Sequence, residues 1–450
     1  MKILVCVKVI KGELNPFDES ALECALNMSD DVTVVTMGPK SCENALLPLT
    51  RLGAKSVLIS DSAFAGSDTL ATAYILSTAI RNMEYDLILC GRQSIDGDTA
   101  QVGPMLSQML GCNLATNALE VKVSDDRVCV RSRMGEEVLT LPALVTVERG
   151  YVLRFPSIFS KLGAVDIVDN SVIGCDISKC GLNGSPTRVL ESYENQRGKR
   201  RCEFISIDRL IPLVEKLMSK DSTREIETYT GEKLPLVWAV GDAVYPKAAE
   251  IAHKVVKIEQ LPPAEIATLA EKQKPEVILW NADMWGRKNA SIVAAMLNTG
   301  LCADCTHLET DGKTLYMYRP AQGGNITAKI KCMSYPQMAT VRTKSKSSDI
   351  IVSAGKGMAD SMDKIYALTE ELGAELGASR GLVDMNKAPY EAQVGLTGKA
   401  VSPKIYIAVG ISGAVHHTCA IEGADIVIAI NKDKDARIFE YADYGIITEF

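Results

Sequence analysis

The 450-residue chain has a net charge of −7, and 47% of its residues are hydrophobic; this length allows about two to four domains. The acidic balance argues against nucleic acid as the main partner, because no basic patch is available to neutralise phosphates. No apolar run approaches the ~18 residues of a membrane helix, which argues against membrane insertion. The chain does not open with a signal-peptide pattern, and its 13 cysteines are scattered, several within apolar strands. We therefore expect a cytoplasmic protein with reduced thiols.

Short apolar runs alternate with helical patterns through the first part of the chain. Strands are predicted at 3–7, 32–37, 56–60 and 86–90, and helices after Asn15-Pro16 and over 45–52 and 69–83. This alternation predicts an α/β fold with a doubly wound parallel sheet. Ligands of such sheets bind at the carboxyl ends of the strands. The segments that follow these strands therefore form one candidate nucleotide site.

A glycine-containing loop after the strand at 86–90 supplies most residues of this site. Asp96 and Asp98 are compatible with a metal or with acid–base chemistry. Carboxylates beside Gly97 and Thr99 more often cap the next helix and leave backbone amides for a phosphate, so we predict nucleotide binding instead. The candidate residues of this second nucleotide site are Cys6, Asn15, Asp18, Met37, Asp68, Thr69, Gly91, Arg92, Gln93, Ile95, Asp96, Gly97, Asp98, Thr99, Gln101 and Val102.

The middle of the chain repeats the pattern of the first part. The stretch 276–300 parallels 86–111, and 335–342 parallels 140–148, which predicts two related α/β domains. Cys302, Cys305 and His307 have part of the spacing of a zinc or redox site. No second pair follows, and the chain has four histidines in all. A structural role is favoured for these cysteines, and no metal site is predicted.

The last hundred residues contain the clearest nucleotide-binding pattern. An apolar strand at 405–409 leads into the turn Gly410-Ile411-Ser412-Gly413, and a helix is predicted from about Ala414. A second strand at 426–430 ends at Asn431. Glycine turns and helix N-termini at strand ends bind phosphate oxygens, so this region is predicted to bind a nucleotide.

Five motifs carry a resemblance to a known family: VSAGKG at 352–357, GASR at 377–380, QVGLTGK at 393–399, GISGAVHH at 410–417 and AIN at 429–431. They resemble the flavin domain of the electron-transfer flavoprotein α-subunit, which implies a C-terminal Rossmann-like FAD-binding domain. The resemblance implies that Arg380 lies against the flavin ring, Thr397 near its N5 and His417 near its pyrimidine carbonyl. It places around the FAD the residues Lys356, Ser379, Arg380, Gln393, Val394, Gly395, Leu396, Thr397, Ser412, Gly413, Ala414, Val415, His416, His417, Asn431, Glu449 and Phe450.

The sequence departs from that family pattern at several positions. Lys356 replaces an arginine, Leu396 and His416 replace glutamines, and Glu449 replaces an aspartate. A lysine keeps the charge of the arginine but loses its bidentate fork. The chain also ends without the final helix of the α-type pattern, and few residues separate Val9 from the first helix where the related β-type pattern has a long hairpin.

Roughly the first two hundred residues resemble the β-subunit of the same family, and GDTAQVGP at 97–104 with FAGSDT at 64–69 is similar to its electron-bifurcating branch. The resemblance implies adenine-nucleotide α-hydrolase-like sheets, a second FAD in this part, or AMP as in the ordinary branch, and NADH as a possible reductant. It also implies a flavin-dependent dehydrogenase partner, such as an acyl-CoA dehydrogenase, bound through an apolar anchor at Ile158 or Phe159. The alternative is that both side chains belong to the core of a strand.

These observations predict a β-like domain at 1–200, a linker at 201–234, an α-like domain at 235–345 and an FAD-binding domain at 346–450. The predicted function is an electron carrier that binds FAD and passes electrons between flavin-dependent dehydrogenases, or from NADH to an acceptor by flavin-based bifurcation. The alternative is a nucleotide-binding scaffold or sensor that keeps FAD as a structural cofactor.

Overall fold

The computed structural model describes residues 1–194, 200–219, 229, 231–322, 326–343, 348–395 and 398–450. The chain forms two compact units. The first comprises residues 1–192, 231–322 and 328–341, and the second comprises 193–230, 323–327 and 342–450. Each unit is described separately below.

Residues 1–192 form the first lobe of the first unit. This lobe is built on a seven-stranded parallel sheet with the order β12-β5-β4-β1-β6-β11-β7. Its central strands β1, β6 and β11 are buried on both faces, as expected for a parallel sheet that helices cover on both sides. The elements up to residue 194 are β1 (Lys2–Cys6), β2 (Val9–Ile10), β3 (Glu13–Leu14), α1 (Pro16–Met28), β4 (Asp31–Met37), α2 (Glu43–Thr50), β5 (Lys55–Ile59), α3 (Thr69–Ile80), β6 (Leu87–Gly91), α4 (Val102–Leu110), β7 (Asn113–Ala118), β8 (Glu120–Ser124), β9 (Arg127–Ser132), β10 (Gly135–Thr140), β11 (Ala143–Val147), β12 (Val165–Val168), α5 (Asn170–Ile173), α6 (Gly181–Gly184) and β13 (Thr187–Glu194).

Part of the segment predicted as a linker, 201–234, is folded into the second unit. It contains β14 (Glu203–Phe204) and α7 (Leu210–Met218). Leu210 and Val214, spaced one helical turn apart, are buried in the core of that unit. The helix itself is mostly apolar, but the sequence on either side of it, at 197–203 and 219–228, is polar and charged, and this composition predicted a connector.

The second lobe of the first unit repeats the topology of the first. Its five-stranded parallel sheet has the order β16-β15-β17-β22-β18, equivalent to β4-β1-β6-β11-β7. An irregular register interrupts the last strand pair in both lobes. The elements are β15 (Leu234–Val240), α8 (Tyr245–Ile251), β16 (Ala252–Ile258), α9 (Pro263–Gln273), β17 (Val277–Asn281), α10 (Met284–Met296), β18 (Leu301–Cys305), β19 (His307–Thr310), β20 (Leu315–Ala321), β21 (Ile326–Cys332) and β22 (Gln337–Val341).

The two lobes of the first unit share one hydrophobic core. Leu4 and Ile88 from the first sheet and Trp238 and Trp280 from the second belong to a single buried cluster. The Gln101 side-chain amide donates to the backbone carbonyl of Leu301 at 3.1 Å, which also joins the lobes. The predicted pair of related α/β domains is therefore one continuous body.

The second unit is a six-stranded parallel sheet with the order β14-β27-β26-β25-β23-β24. Successive residues of each strand point to opposite faces of the sheet, and the apolar ones form a separate core on each face. The predicted α/β fold with parallel sheets is confirmed in both units. The remaining elements are β23 (Ile350–Ala354), α11 (Met362–Glu371), β24 (Glu375–Ala378), α12 (Arg380–Asp384), β25 (Ile405–Val409), α13 (Val415–Thr418), β26 (Ile426–Asn431) and β27 (Tyr444–Ile447).

Candidate functional site

The motifs of the second unit meet at the carboxyl edge of its sheet. Strands β23 to β27 all end there, and most of the predicted flavin-binding residues lie at or just after these ends. The segment that begins at Gln393 follows α12 and returns to the end of β24, where Val394 N–H donates to the carbonyl of Ala378. The chain runs from β23 to β24 on one side and then to β25 on the other. The strand order therefore reverses between β23 and β25, which is where open α/β sheets bind their ligands.

The place where the strand order reverses is called the switch point below, and glycines keep it free of side chains. A Cβ on Gly355 would lie 2.0 Å from the carbonyl oxygen of Gly410. Gly410 and Gly413 have φ angles of +64° and +84°, a region that suits glycine. A Cβ on Gly413 would lie 2.2 Å from the backbone nitrogen of Ile438. The strand ends and the loop after β25 thus approach each other through bare backbone, as a close-fitting phosphate cradle requires.

The loop after β25 is braced by Asn431 rather than by a long helix. The Asn431 side-chain amide donates to the carbonyl of Ile411 at 2.9 Å, and its carbonyl oxygen accepts from the backbone of Asp433 at 3.0 Å. The helix predicted from about Ala414 comprises residues Val415–Thr418 alone. It is too short to supply a helix dipole, so any phosphate contact here depends on the loop backbone.

His417 is the buried polar side chain of this loop. Its Nε2 lies 2.8 Å from the hydroxyl oxygen of Tyr406 on β25. Its Nδ1 makes no hydrogen bond of normal geometry within the described residues. Burial lowers the pKa of His417 to about 4, although the backbone of Val394 raises it. The imidazole is therefore neutral at physiological pH and carries one N–H.

The other predicted flavin residues surround the same edge. Ser379 precedes α12, and Arg380 at its start forms an ion pair with Asp384 at 3.2 Å. Gln393 and Val394 are buried, whereas Ser412, Ala414 and His416 are exposed. Leu396 and Thr397 lie outside the described residues. The remaining members are placed as follows: Lys356 is exposed, Gly395 and Gly413 are buried, Val415 and Phe450 are half-buried, and Glu449 is exposed and pairs with Lys432 at 3.7 Å.

A second candidate site is a cavity of about 760 Å³ inside the first unit. It lies at the carboxyl ends of β1, β4, β5 and β6. Thirteen of the sixteen residues predicted for the second nucleotide line it: Cys6, Asn15, Asp18, Met37, Asp68, Thr69, Gly91, Arg92, Gln93, Gly97, Thr99, Gln101 and Val102. Ile95, Asp96 and Asp98 are not among the lining residues.

Asp18 joins two strand ends at the wall of this cavity. Its carboxylate accepts from the backbone N–H of Lys8 at 2.7 Å and from that of Gly91 at 3.0 Å. Burial raises the pKa of Asp18 to about 7, because desolvation outweighs these hydrogen bonds. A Cβ on Gly91 would lie 2.2 Å from the Asp18 carboxylate, which explains the glycine.

The carboxylates of the loop do not cap the next helix, contrary to the sequence-based expectation. Asp96 forms an ion pair with Lys8 at 2.7 Å, and Asp98 accepts from the side chain of Gln93 at 3.0 Å. Helix α4 begins after Gln101 without a side-chain cap. The backbone of the loop is left-handed at Asp98, with φ of 51°.

Arg92 and Asp68 have structural partners that sequence patterns do not reveal. Arg92 forms a buried ion pair with Glu148 at 2.5 Å. Asp68 caps α3 and also accepts from the backbone and hydroxyl of Thr187, at 2.9 and 2.6 Å. Both residues therefore hold the cavity wall together.

The second lobe contributes lining residues that the sequence analysis missed. They include Cys302 and Arg319. Arg319 is 5% exposed, and its Nε and one terminal nitrogen have no hydrogen-bond partner among the described residues. The signal that could have identified it is a charged residue within the buried strand β20.

Comparison with known proteins agrees with this geometry. The sequence-family model of the electron transfer flavoprotein domain matches residues 3–156 and 263–364, which together cover more than half of the chain. The chain belongs to the electron transfer flavoprotein family. A second model, the electron transfer flavoprotein FAD-binding domain, matches residues 345–422, which include β23 to β25.

The curated relatives of this chain include both alpha and beta subunits of electron transfer flavoproteins. The chain is 41% identical over 229 residues to the electron transfer flavoprotein subunit alpha of Thermoanaerobacterium thermosaccharolyticum, covering 40% of this chain and 69% of that protein. It is 34% identical over 263 residues to the subunit beta of Megasphaera elsdenii, covering 49% of this chain and 97% of that protein. It is 37% identical over 224 residues to protein FixB of Azorhizobium caulinodans, covering 39% of this chain and 61% of that protein.

The carboxyl edge of the second unit fits the FAD of an electron transfer flavoprotein. Glycines leave room for close approach at the switch point, and His417 is a buried polar group without a full set of partners. Arg380 could supply positive charge beside the ring and Ser412 a hydroxyl at the loop. The family resemblance that the motifs predicted is thus supported by the fold and by both family models.

The predicted partner anchor is an exposed apolar segment in this flavoprotein. Phe155, Ile158 and Phe159 are 95%, 85% and 85% exposed, so the alternative that Ile158 and Phe159 are core residues of a strand is wrong. Arg51 holds the segment by donating to the carbonyls of Ser157 and Ser160, at 3.0 and 3.3 Å.

The thiols and titratable groups reveal no metal site within the described ranges. No group of three or more potential ligands is found there. Cys302 and Cys305 are buried, whereas His307 is exposed and lies 3.4 Å from Glu309. Among the same residues, no helix is long and apolar enough to cross a membrane.

Proposed function

We propose that this electron transfer flavoprotein joins β-like and α-like parts in one chain and carries electrons through FAD bound at the carboxyl edge of the second unit. The observation that carries the proposal is the switch point between β23 and β25, where Gly355 and Gly410 leave no space for side chains. FAD, when bound, supplies the redox chemistry. The residues of the chain bind the cofactor, orient it and set its electrostatic surroundings.

The proposal includes a second FAD in the cavity of the first unit. At about 760 Å³, the cavity lies in the upper part of the about 300–1,000 Å³ range of ligand pockets. FAD contains AMP and a flavin mononucleotide, so a large cavity favours the dinucleotide over AMP alone. A second flavin would let NADH reduce the protein and would support electron bifurcation.

Arg319 supports an anionic ligand in this cavity. A buried guanidinium with unpaired N–H groups is unfavourable unless an anion reaches it. A phosphate group would satisfy these donors with charge-assisted hydrogen bonds. Arg319→Met should lower the nucleotide content of the first unit without changing the FAD of the second. The exposed Lys313 of the same lobe provides a control in Lys313→Met.

The proposed partner is a flavin-dependent dehydrogenase of the acyl-CoA dehydrogenase type, which would bind the exposed apolar segment at 155–159. Protruding aromatic and aliphatic side chains are the usual anchors of protein interfaces. Ile158→Ser and Phe159→Ser should lower the rate of electron exchange with such a dehydrogenase while leaving the flavin content unchanged.

Cofactor analysis of the purified full chain tests the proposed function. We expect a yellow protein that releases two FAD per chain, and whose flavin is bleached by NADH and reoxidised by a dehydrogenase partner. One FAD and one AMP, without bleaching by NADH, would assign the chain to the ordinary branch. A colourless chain that FAD cannot reconstitute would refute the proposal. Bound FAD that exchanges no electrons with any dehydrogenase would favour a scaffold or sensor.

A further inference from the structure

Two cysteines lie side by side in the wall of the cavity of the first unit. Cys6 is the last residue of β1, Cys90 lies near the end of β6, and the two are direct register partners in the sheet. Neighbouring strands are about 4.8 Å apart, and side chains alternate between the two faces along each strand. Cys6 and Cys90 belong to the same buried cluster as Leu4 and Ile88, so all four lie on one face. The two thiols are therefore neighbours.

Both thiols are free, and both can be reached from the cavity. Cys6 and Cys90 are 8% and 6% exposed, and each lines the cavity of about 760 Å³. Cys302 of the second lobe also lines this cavity, but its neighbour Cys305 does not. Cys6 and Cys90 thus form an adjacent pair of which both members face a space large enough for a small-molecule ligand.

The number of ligands restricts what the pair can bind. Among the described residues, no group of three or more potential metal ligands is found. A zinc ion takes at least three protein ligands, so two thiols are too small a set for zinc. An organic compound of trivalent arsenic, R–As=O, takes two sulfur ligands, because carbon fills its third valence. Phe64 and Leu76 belong to the same wall and the same apolar cluster, and they provide a surface for the organic group.

The reaction of such an arsenical with two thiols balances without an oxidant. Two As–S bonds replace the As=O double bond, both thiol protons leave with the oxygen as water, and no atom changes its oxidation state. The interaction with Cys6, together with burial, raises the pKa of Cys90 well above its ordinary value, so this thiol is protonated at physiological pH. The oxide oxygen accepts the protons, so neutral thiols suffice for this reaction. Alkylation, by contrast, needs a thiolate and should be slow here.

We propose that Cys6 and Cys90 form a dithiol site that binds a trivalent organic arsenical through both sulfur atoms. The arsenical would occupy the cavity in which the second nucleotide is proposed to bind, so the two ligands should exclude each other. A bound arsenical would thereby hold the first unit in its nucleotide-free state. The dithiol site does not depend on the proposed function, whereas the competition with a nucleotide rests on it.

Phenylarsine oxide, added to the nucleotide-free full chain, tests the dithiol site by intact mass. We expect an adduct that survives excess mercaptoethanol but is released by dithiothreitol, because a monothiol cannot replace both As–S bonds together. Cys6→Ser, Cys90→Ser and the double variant should each lose one such adduct, since one cysteine alone gives only a labile single bond. Cys129→Ser removes an exposed thiol of β9 and should leave the number of adducts unchanged.

Peptide mapping of the wild-type adduct gives a measurement that does not depend on the folding of a variant. We expect the peptides that contain Cys6 and Cys90 to be joined by one phenylarsenic group. Adducts that join other cysteines alone would overturn the inference, as would an unchanged number of adducts in the double variant.

Competition with a nucleotide tests the part that rests on the proposed function. FAD at about 100 times its Kd should slow the formation of the adduct by up to about 100-fold, because only the empty cavity reacts. Bridging of Cys6 and Cys90 that neither FAD nor AMP slows would count against the proposed second nucleotide, and the dithiol site would stand.

Discussion

Replacing Gly355 with alanine should separate the two strand ends that form the switch point. The new Cβ would lie 2.0 and 2.4 Å from the carbonyl oxygen and carbon of Gly410, and 2.7 Å from the nitrogen of Ile411. Side-chain carbons do not approach other atoms more closely than about 3.0 Å. All three neighbours are backbone atoms, so no rotamer change can relieve the overlap.

The cost follows from two terms. Overpacking in a rigid environment costs about 1–3 kcal/mol. The shift would also strain the hydrogen bond from Gly355 N–H to the carbonyl of Val409, 2.7 Å long and worth about 1 kcal/mol. We therefore expect Gly355→Ala to lower the free energy of unfolding of the second unit by about 3 kcal/mol, or its Tm by about 10 °C.

The matched control is Gly381→Ala. Gly381 lies within α12 near the same edge, and its Cβ would meet the Lys356 side chain at an ordinary 3.8 Å. Alanine is the better helix former by about 1 kcal/mol, so this variant should be neutral or slightly stabilised. Urea unfolding and FAD content of the full chain provide the measurements. Equal unfolding midpoints and equal FAD content in the two variants would refute the argument that bare backbone contact defines the switch point.

Three further predictions concern charged residues. Arg380→Ala should weaken FAD binding about tenfold or more and shift the flavin midpoint potential, measured by titration and spectroelectrochemistry; unchanged values would remove Arg380 from the flavin site. For Asp18, the folded pKa of about 7 exceeds the ordinary 3.8, so the folded state holds this proton more tightly. The free energy of unfolding should therefore fall by up to a few kcal/mol as the pH rises from about 4 to about 7; parallel urea-unfolding profiles of wild type and Asp18→Asn over this range would contradict it. Glu148→Gln should cost about 3–5 kcal/mol in urea unfolding, because it removes the buried carboxylate that forms ion pairs with Arg92 and Arg133. Glu120 is half-buried and pairs with Arg131, and Glu120→Gln should cost about 1 kcal/mol at most; similar losses in the two variants would show that burial does not set the cost of losing the ion pair.

The sequence predicts strands better than it predicts helix ends. The predicted strand at 405–409 coincides with β25, because a β-rich apolar run between Pro403 and Gly410 has few alternatives. Helix α10, however, begins at Met284, six residues before Ala290, where the helical pattern of apolar residues becomes clear in the sequence. Asp283 caps it by accepting from Gly286 N–H at 2.7 Å, but the first turn lacks the apolar periodicity that marks a helix.

One part of the candidate sites could be predicted from the sequence, and another part could not. The convergence of the flavin motifs could be predicted, because the carboxyl ends of parallel strands meet at one edge whatever their order. The contacts of Asp68 with Thr187, and the presence of Arg319 at the cavity, could not. They depend on how two lobes far apart in sequence pack together, and residue spacing carries no information about that packing.

Strand β14 gives the second unit an unusual order of assembly during synthesis. Glu203 pairs with Tyr444, about 240 positions later in the chain. The whole second lobe of the first unit, from β15 to β22, is translated between the two. Closing so long a loop costs little more than closing a short one, because the entropy grows with the logarithm of its length. The delay during synthesis matters more than this entropy. On the ribosome, Leu210 and Val214 have no core to pack into until β23 to β26 emerge. The apolar face of this helix therefore stays exposed to aggregation while the first unit folds.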